Sequence, residues 1–105
     1  MAKSASEISL DYNQAVGQAD SLNEMARELR NAANVSIQEC ISGISGCWTG
    51  SNSAAYVKKC SQLKSDVLST AAQLERTAAA VRTIAKNTYN AEMQALRLAQ
   101  LRNYS

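Results

Sequence analysis

The most reactive side chains in this sequence are three thiols, Cys40, Cys47 and Cys60. A thiol does chemistry when a base lies beside it or a second thiol is in reach. The 105 residues include no histidine, so the imidazole base of Cys–His and Ser–His sites is missing. The cysteines are not spaced Cys-x-x-Cys, which argues against a zinc site. No glycine-rich phosphate loop occurs. Paired carboxylates remain as a catalytic option, but two helices offer little cleft to hold them. The chain is therefore expected to have no catalytic residues, no metal and no cofactor, and to act by binding. An odd cysteine count also argues against a complete disulfide framework. A chain folding back near residue 50 would bring Cys40 and Cys60 to similar heights, where a disulfide could bridge them. Unbridged, they would pack as small apolar residues.

The other distinctive group is Trp48-Thr49-Gly50, which holds the only tryptophan and lies in the glycine cluster Gly43, Gly46 and Gly50. An indole buries a large apolar area and carries one N–H donor. Trp48 is expected to pack against the flanking helices or a partner.

Two long helices must position these groups. Ser4-Ala5-Ser6-Glu7 reads as a capping box that starts helix 1. Apolar residues then recur at three- and four-residue steps: Ile8, Tyr12, Ala15, Ala19, Leu22, Ala26, Leu29, Ala33, Ile37 and Cys40. Gly43 and Gly46 read as helix stops. Helix 2 starts at Ser51 or Ser53 and carries the stripe Tyr56, Cys60, Leu63, Val67, Ala71, Leu74, Ala78, Val81 and Ala85. The reading is one all-α domain over residues 1–105: helix 1 about 5–42, a bend over 43–50, and helix 2 about 51–101. The expected core comprises Leu22, Leu29, Ile37, Leu63, Val67, Leu74 and Val81. Helix 2 is the longer, so about a dozen residues from Tyr89 onward should project past helix 1 as a tail that orders on binding.

Apolar content is 46%, but 18 of those residues are alanine. Too little bulk remains for a thick core, and small chains of this kind gain stability by oligomerising. The simplest remedy is a second hairpin, giving a four-helix bundle. Net charge is +2. The first 42 residues are net acidic and the rest net basic, which suggests complementary helices. Lys58, Lys59, Lys64, Arg76, Arg82, Lys86, Arg97 and Arg102 spread around helix 2 instead of lining one face, so no nucleic-acid partner is expected. No segment approaches the ~18 continuous apolar residues of a membrane span. Met1 to Glu7 holds no apolar run, so no cleaved signal peptide and no stable membrane insertion are expected.

Trp48-Thr49-Gly50, followed by Ser51-Asn52-Ser53-Ala54-Ala55-Tyr56 between two helices, resembles the WXG family. These are the small helical-hairpin proteins of type VII (ESX) secretion. The resemblance implies an antiparallel hairpin that dimerises into a four-helix bundle. It implies a cytoplasmic chain exported without a cleaved signal to the cell surface or beyond. Its partners would be a second copy, a related helical-hairpin protein or an LXG toxin, together with the type VII secretion ATPase. Trp48 and Gly50 would form the bend, with Trp48 bordering a cleft for an export signal or the ATPase, and Tyr56 supplying the aromatic after the motif. The family's signal Tyr-x-x-x-Asp/Glu is met by Tyr89-Asn90-Ala91-Glu92, one residue short, with Met93 at the acidic position.

Overall fold

The computed structural model describes residues 3–47 and 50–103, and all of these except Lys3, Ser4 and Gly50 are helical. Helix α1 spans Ala5–Asn31, a π-helical segment covers Ala32–Ile37, α2 spans Gln38–Cys47, and α3 spans Ser51–Asn103. The all-α expectation holds. Trp48 and Thr49 lie outside the described residues.

The helix starts follow the capping chemistry. The Ser4 hydroxyl oxygen accepts the Glu7 N–H at 3.2 Å and donates to the Glu7 carboxylate at 3.2 Å. This satisfies one of the donors that a helix start leaves unpaired. Gly50 has φ +104°, a left-handed conformation that side chains with a Cβ resist. Its carbonyl accepts the Ala54 N–H at 3.3 Å and opens α3.

Gly43 and Gly46 do not stop the helix, which continues to Cys47. Glycine inside a helix costs only ~1 kcal/mol relative to alanine. Here both glycines are exposed, while Ile41 and Ile44 turn inward and hold the segment helical. The bend is correspondingly shorter than the expected 43–50.

The chain divides into two compact units, one of Met1–Leu22 with Arg76–Ser105, the other of Asn23–Glu75. The first unit pairs the start of α1 with the second half of α3. Its buried residues are Ile8, Ala19, Ala78 and Ala85. Tyr12 meets Tyr89, and Arg82 donates to Asp20 across the seam. The second unit is a helical hairpin closed by the bend. Among its described residues, the buried apolar ones are Ala26, Ala33 and Ala71. Arg30 binds Glu75, and the Lys64 ammonium donates to Gln38 at 2.8 Å. These pairs run in opposite sequence directions, as antiparallel helices require.

Alanine does most of the sealing. Ala19, Ala33, Ala71 and Ala78 are each 0% exposed. The buried alanines recur in sevens, at 19, 26 and 33 and again at 71, 78 and 85, the spacing of a coiled-coil seam. Methyl-sized contacts let helix axes approach closely. The larger residues expected in the core flank this line. Leu22, Leu29, Ile37, Val67, Leu74 and Val81 are half-buried, and Leu63 is exposed. Lys64, half-buried, takes the seam position beside Leu63 and reaches Gln38 with its ammonium.

The π-helical segment accounts for a second departure. A π turn holds more residues than an α turn, so it rotates everything after it. Beyond Ala33 and Ile37 the inward face passes to Ile41 and Ile44, and Cys40 is exposed. Cys40 and Cys60 are free thiols in this structure, the first exposed and the second half-buried.

The charge pattern also departs from expectation. Asp20–Arg82 joins an acidic α1 residue to a basic α3 residue, but Arg30–Glu75 and Lys3–Glu92 reverse that order. These side chains are largely exposed, and such pairs contribute little net stability.

Candidate functional site

A mainly apolar concavity lies within the first unit. It is a groove of about 240 Å³ whose walls are mainly apolar. From α1 come Ile8, Asp11, Tyr12 and Ala15; from α3 come Val81, Ile84, Ala85, Thr88, Tyr89 and Glu92. The groove exists because the seam beneath it is thin. Ala15 and Ala85 leave room above the helix contact, while Tyr12 and Tyr89 close one side. Their ring centroids lie 5.2 Å apart with planes inclined at 51°, a favourable tilted pair. Ile84 stands on the rim at 64% exposure.

Acidic groups sit at the edge. The Lys3 ammonium lies 2.7 Å from Asp11 and 3.3 Å from Glu92. The hydrogen bond that the ammonium donates to Asp11, then the one it donates to Glu92, raises the Lys3 pKa above the ordinary lysine value. Lys3 precedes α1, so this cluster ties the helix entry to α3. The trio carries two negative charges and one positive, leaving the rim net acidic.

This arrangement can bind apolar side chains that bear or adjoin a cation. Among the described residues, no group of three histidine, cysteine or acidic side chains could hold a metal ion. The Thr88 hydroxyl lines the groove with carboxylates and tyrosines, without an imidazole or amine base in the lining.

Tyr89 and Glu92, expected as a partner-binding pair, come together on this groove. Tyr56 lies elsewhere, exposed on the first turns of α3 in the second unit. Gly50 supports the bend; Trp48 lies outside the described residues. Tyr89 onward does not form the expected tail. Tyr89 packs on Tyr12, Glu92 binds Lys3, and Ala95 and Leu96 border a smaller recess with Ile8. Pairing in this unit therefore persists to about Leu96, and the helix continues to Asn103. Sequence reasoning missed Lys3, Asp11 and Ile84. Position 84 lies off the apolar stripe, and Lys3 precedes the helical pattern altogether.

Comparison with known families adds the last observation. The model of the PPE family matches residues 12–103, nearly the whole chain. The chain belongs to the PPE family. PPE proteins are a helical family associated with type VII secretion, so the link read from the bend holds at that level. The matching family is PPE and not WXG, which corrects the narrower assignment. No curated protein and no solved structure matched this PPE-family chain. Among its described residues, no helix is long and apolar enough to cross a membrane.

Proposed function

We propose that this PPE-family chain is exported by type VII secretion and acts by helix–helix binding, without catalysis. It pairs with a second copy to complete a four-helix bundle. One observation carries the reading: the small side chains are inside and many large ones are outside. Alanines fill the seam, whereas Leu10, Met25, Val35, Tyr56, Leu63, Ile84, Leu98 and Leu101 are exposed. Scattered single apolar residues are ordinary on a surface, but here they outsize the core they surround. A partner's helices would dry them.

Sedimentation of the purified protein tests the pairing. A dimer at micromolar concentration is expected; a monomer at every concentration overturns self-pairing. A monomer that becomes helical-complex-forming only with a co-expressed LXG toxin would move the role to that of a toxin partner. Export of Trp48→Ala and Tyr89→Ala variants tests the secretion roles. Reduced export of either is expected, and unchanged export of both removes these residues from the signal.

A further inference from the structure

We propose that Cys40 and Cys60 are the two halves of a redox-controlled latch in the second unit, closed by an oxidised thiol compound once the π turn re-phases α2. Both are free thiols, the first exposed and the second half-buried. Cys60 keeps step at sevens with Val67, Leu74 and Val81, all half-buried beside the alanine seam. The hydrogen bond from Lys64 to Gln38 sets the relative heights of the two helices. Three residues further along α2, Ile41 stands level with Ser61, the neighbour of Cys60. Cys40 is therefore near the right height but on the wrong side of its helix.

The π segment supplies the missing rotation. Ala32–Ile37 holds an extra residue relative to α turns of the same rise. Moving that residue past Cys40 exchanges one set of backbone hydrogen bonds for another, and it rotates only the residues it passes. Each of those takes the place of its successor. Cys40 takes the inward place of Ile41, towards Cys60, and Ile41 turns to solvent. If the extra residue comes to rest before Ile44, that isoleucine keeps its inward position. Gly43 lies in this receiving stretch, where a glycine has little helix preference to give up.

The chemistry is thiol–disulfide exchange. The exposed Cys40, as thiolate, attacks a sulfur of an oxidised compound such as oxidised glutathione; a mixed disulfide forms and the first glutathione thiol leaves. The Cys60 thiolate then attacks the Cys40 sulfur, and the second glutathione thiol leaves. The protein's two thiols lose two electrons and two protons, which the reagent's disulfide gains. Disulfides persist in oxidising surroundings outside cells, where the export proposed above would bring the chain. The closure itself needs only the reagent and depends neither on export nor on self-pairing. The bridge would tie α2 to α3 and enclose the bend between them.

Oxidised glutathione added to three full-length proteins tests this, each carrying Cys47→Ser so that no third thiol competes. The first has no other change, the second adds Cys40→Ser/Ile41→Cys, and the third lacks Asn34, which is exposed in the π segment. The first is expected to end with Cys40 and Cys60 joined within one chain, read from intact mass and from the linked peptide. The thiol placed at position 41 already faces inward and should close faster. Cys40 should close ~10-fold or more slowly than it, because its inward phase is a minor state. The chain without Asn34 has no extra residue to move, so Cys40 should keep its glutathione and stay unbridged. A first protein left with glutathione adducts, or bridged between chains, overturns the latch. Closure at Cys40 as fast as at position 41, or undiminished without Asn34, overturns the rotation. Circular dichroism checks that each protein keeps its helicity; should the chain without Asn34 unfold, the rates at positions 40 and 41 still decide.

Discussion

The unit of Met1–Leu22 with Arg76–Ser105 and the unit of Asn23–Glu75 use the same material differently. Both bury alanines at intervals of seven. The first adds one large buried residue, Ile8, and a tyrosine pair, and its α-helices run without interruption. Among its described residues the second has neither, and it uses a π turn before Ile41 and Ile44, which face inward near the glycine-containing bend. An alanine seam holds two helices in register but leaves their outer apolar residues wet. What differs between the units is what sits on the seam: a groove with acidic edges in one, a change of helical phase in the other.

The sharpest test of the shared seam is to enlarge it. Ala19→Leu in the first unit and Ala33→Leu in the second should each cost about 3 kcal/mol or more by overpacking, read from urea denaturation. Equal costs would mean that the seam is equally tight in both. A much smaller cost at Ala33 would mean that the π turn yields to the added bulk. Tyr12→Ala removes half of the aromatic pair and should cost about 2 kcal/mol, since the ring is only half-buried. Hydrogen exchange should register the loss in the first unit's amides. Equal loss of protection in both units would break the distinction between them.

Gly50→Ala addresses the bend of the second unit. It should cost about 1 kcal/mol, because alanine resists φ +104°. The nearby space around Gly50 is open, so the cost is conformational and not steric. The smallest effect belongs to Lys3. Its pKa is raised in the folded chain, so its contribution is fully present below the lysine value of the unfolded chain, about 10.4, and is lost as pH climbs through the raised value. The melting midpoints of the natural chain and Lys3→Met should differ slightly and constantly from pH 7 to 9, and converge in stronger alkali. A difference that vanished already near neutrality would remove the cluster from the first unit's account.

Much of this was legible in the residues. Ser4 with Glu7 marks the start of α1 through local hydrogen bonding, and α3 begins at Ser51, one of the two starts the sequence offered. The apolar period located Ala19, Ala26 and Ala33 and their counterparts Ala71, Ala78 and Ala85. Period alone does not say which stripe members are covered, so Leu63 looked internal and Lys64 did not. Gly43 and Gly46 read as stops because a glycine's effect depends on whether its neighbours are anchored, and Ile41 and Ile44 anchor these. Cys40 looked inward because a π turn leaves no mark in the spacing of alanines before it. Tyr89 and Glu92 drew notice through a family pattern, while the groove they share needed Ile84 and Lys3, which no periodicity singles out.

The wide turn at Ala32–Ile37 holds slack. It carries more residues than an ordinary coil of the same rise requires. Removing one of them would tighten the coil and leave Ile41 and Ile44 where they are. Chain length can thus drift there in single steps, whereas the methyl-lined stretches on either side tolerate change only in whole sevens.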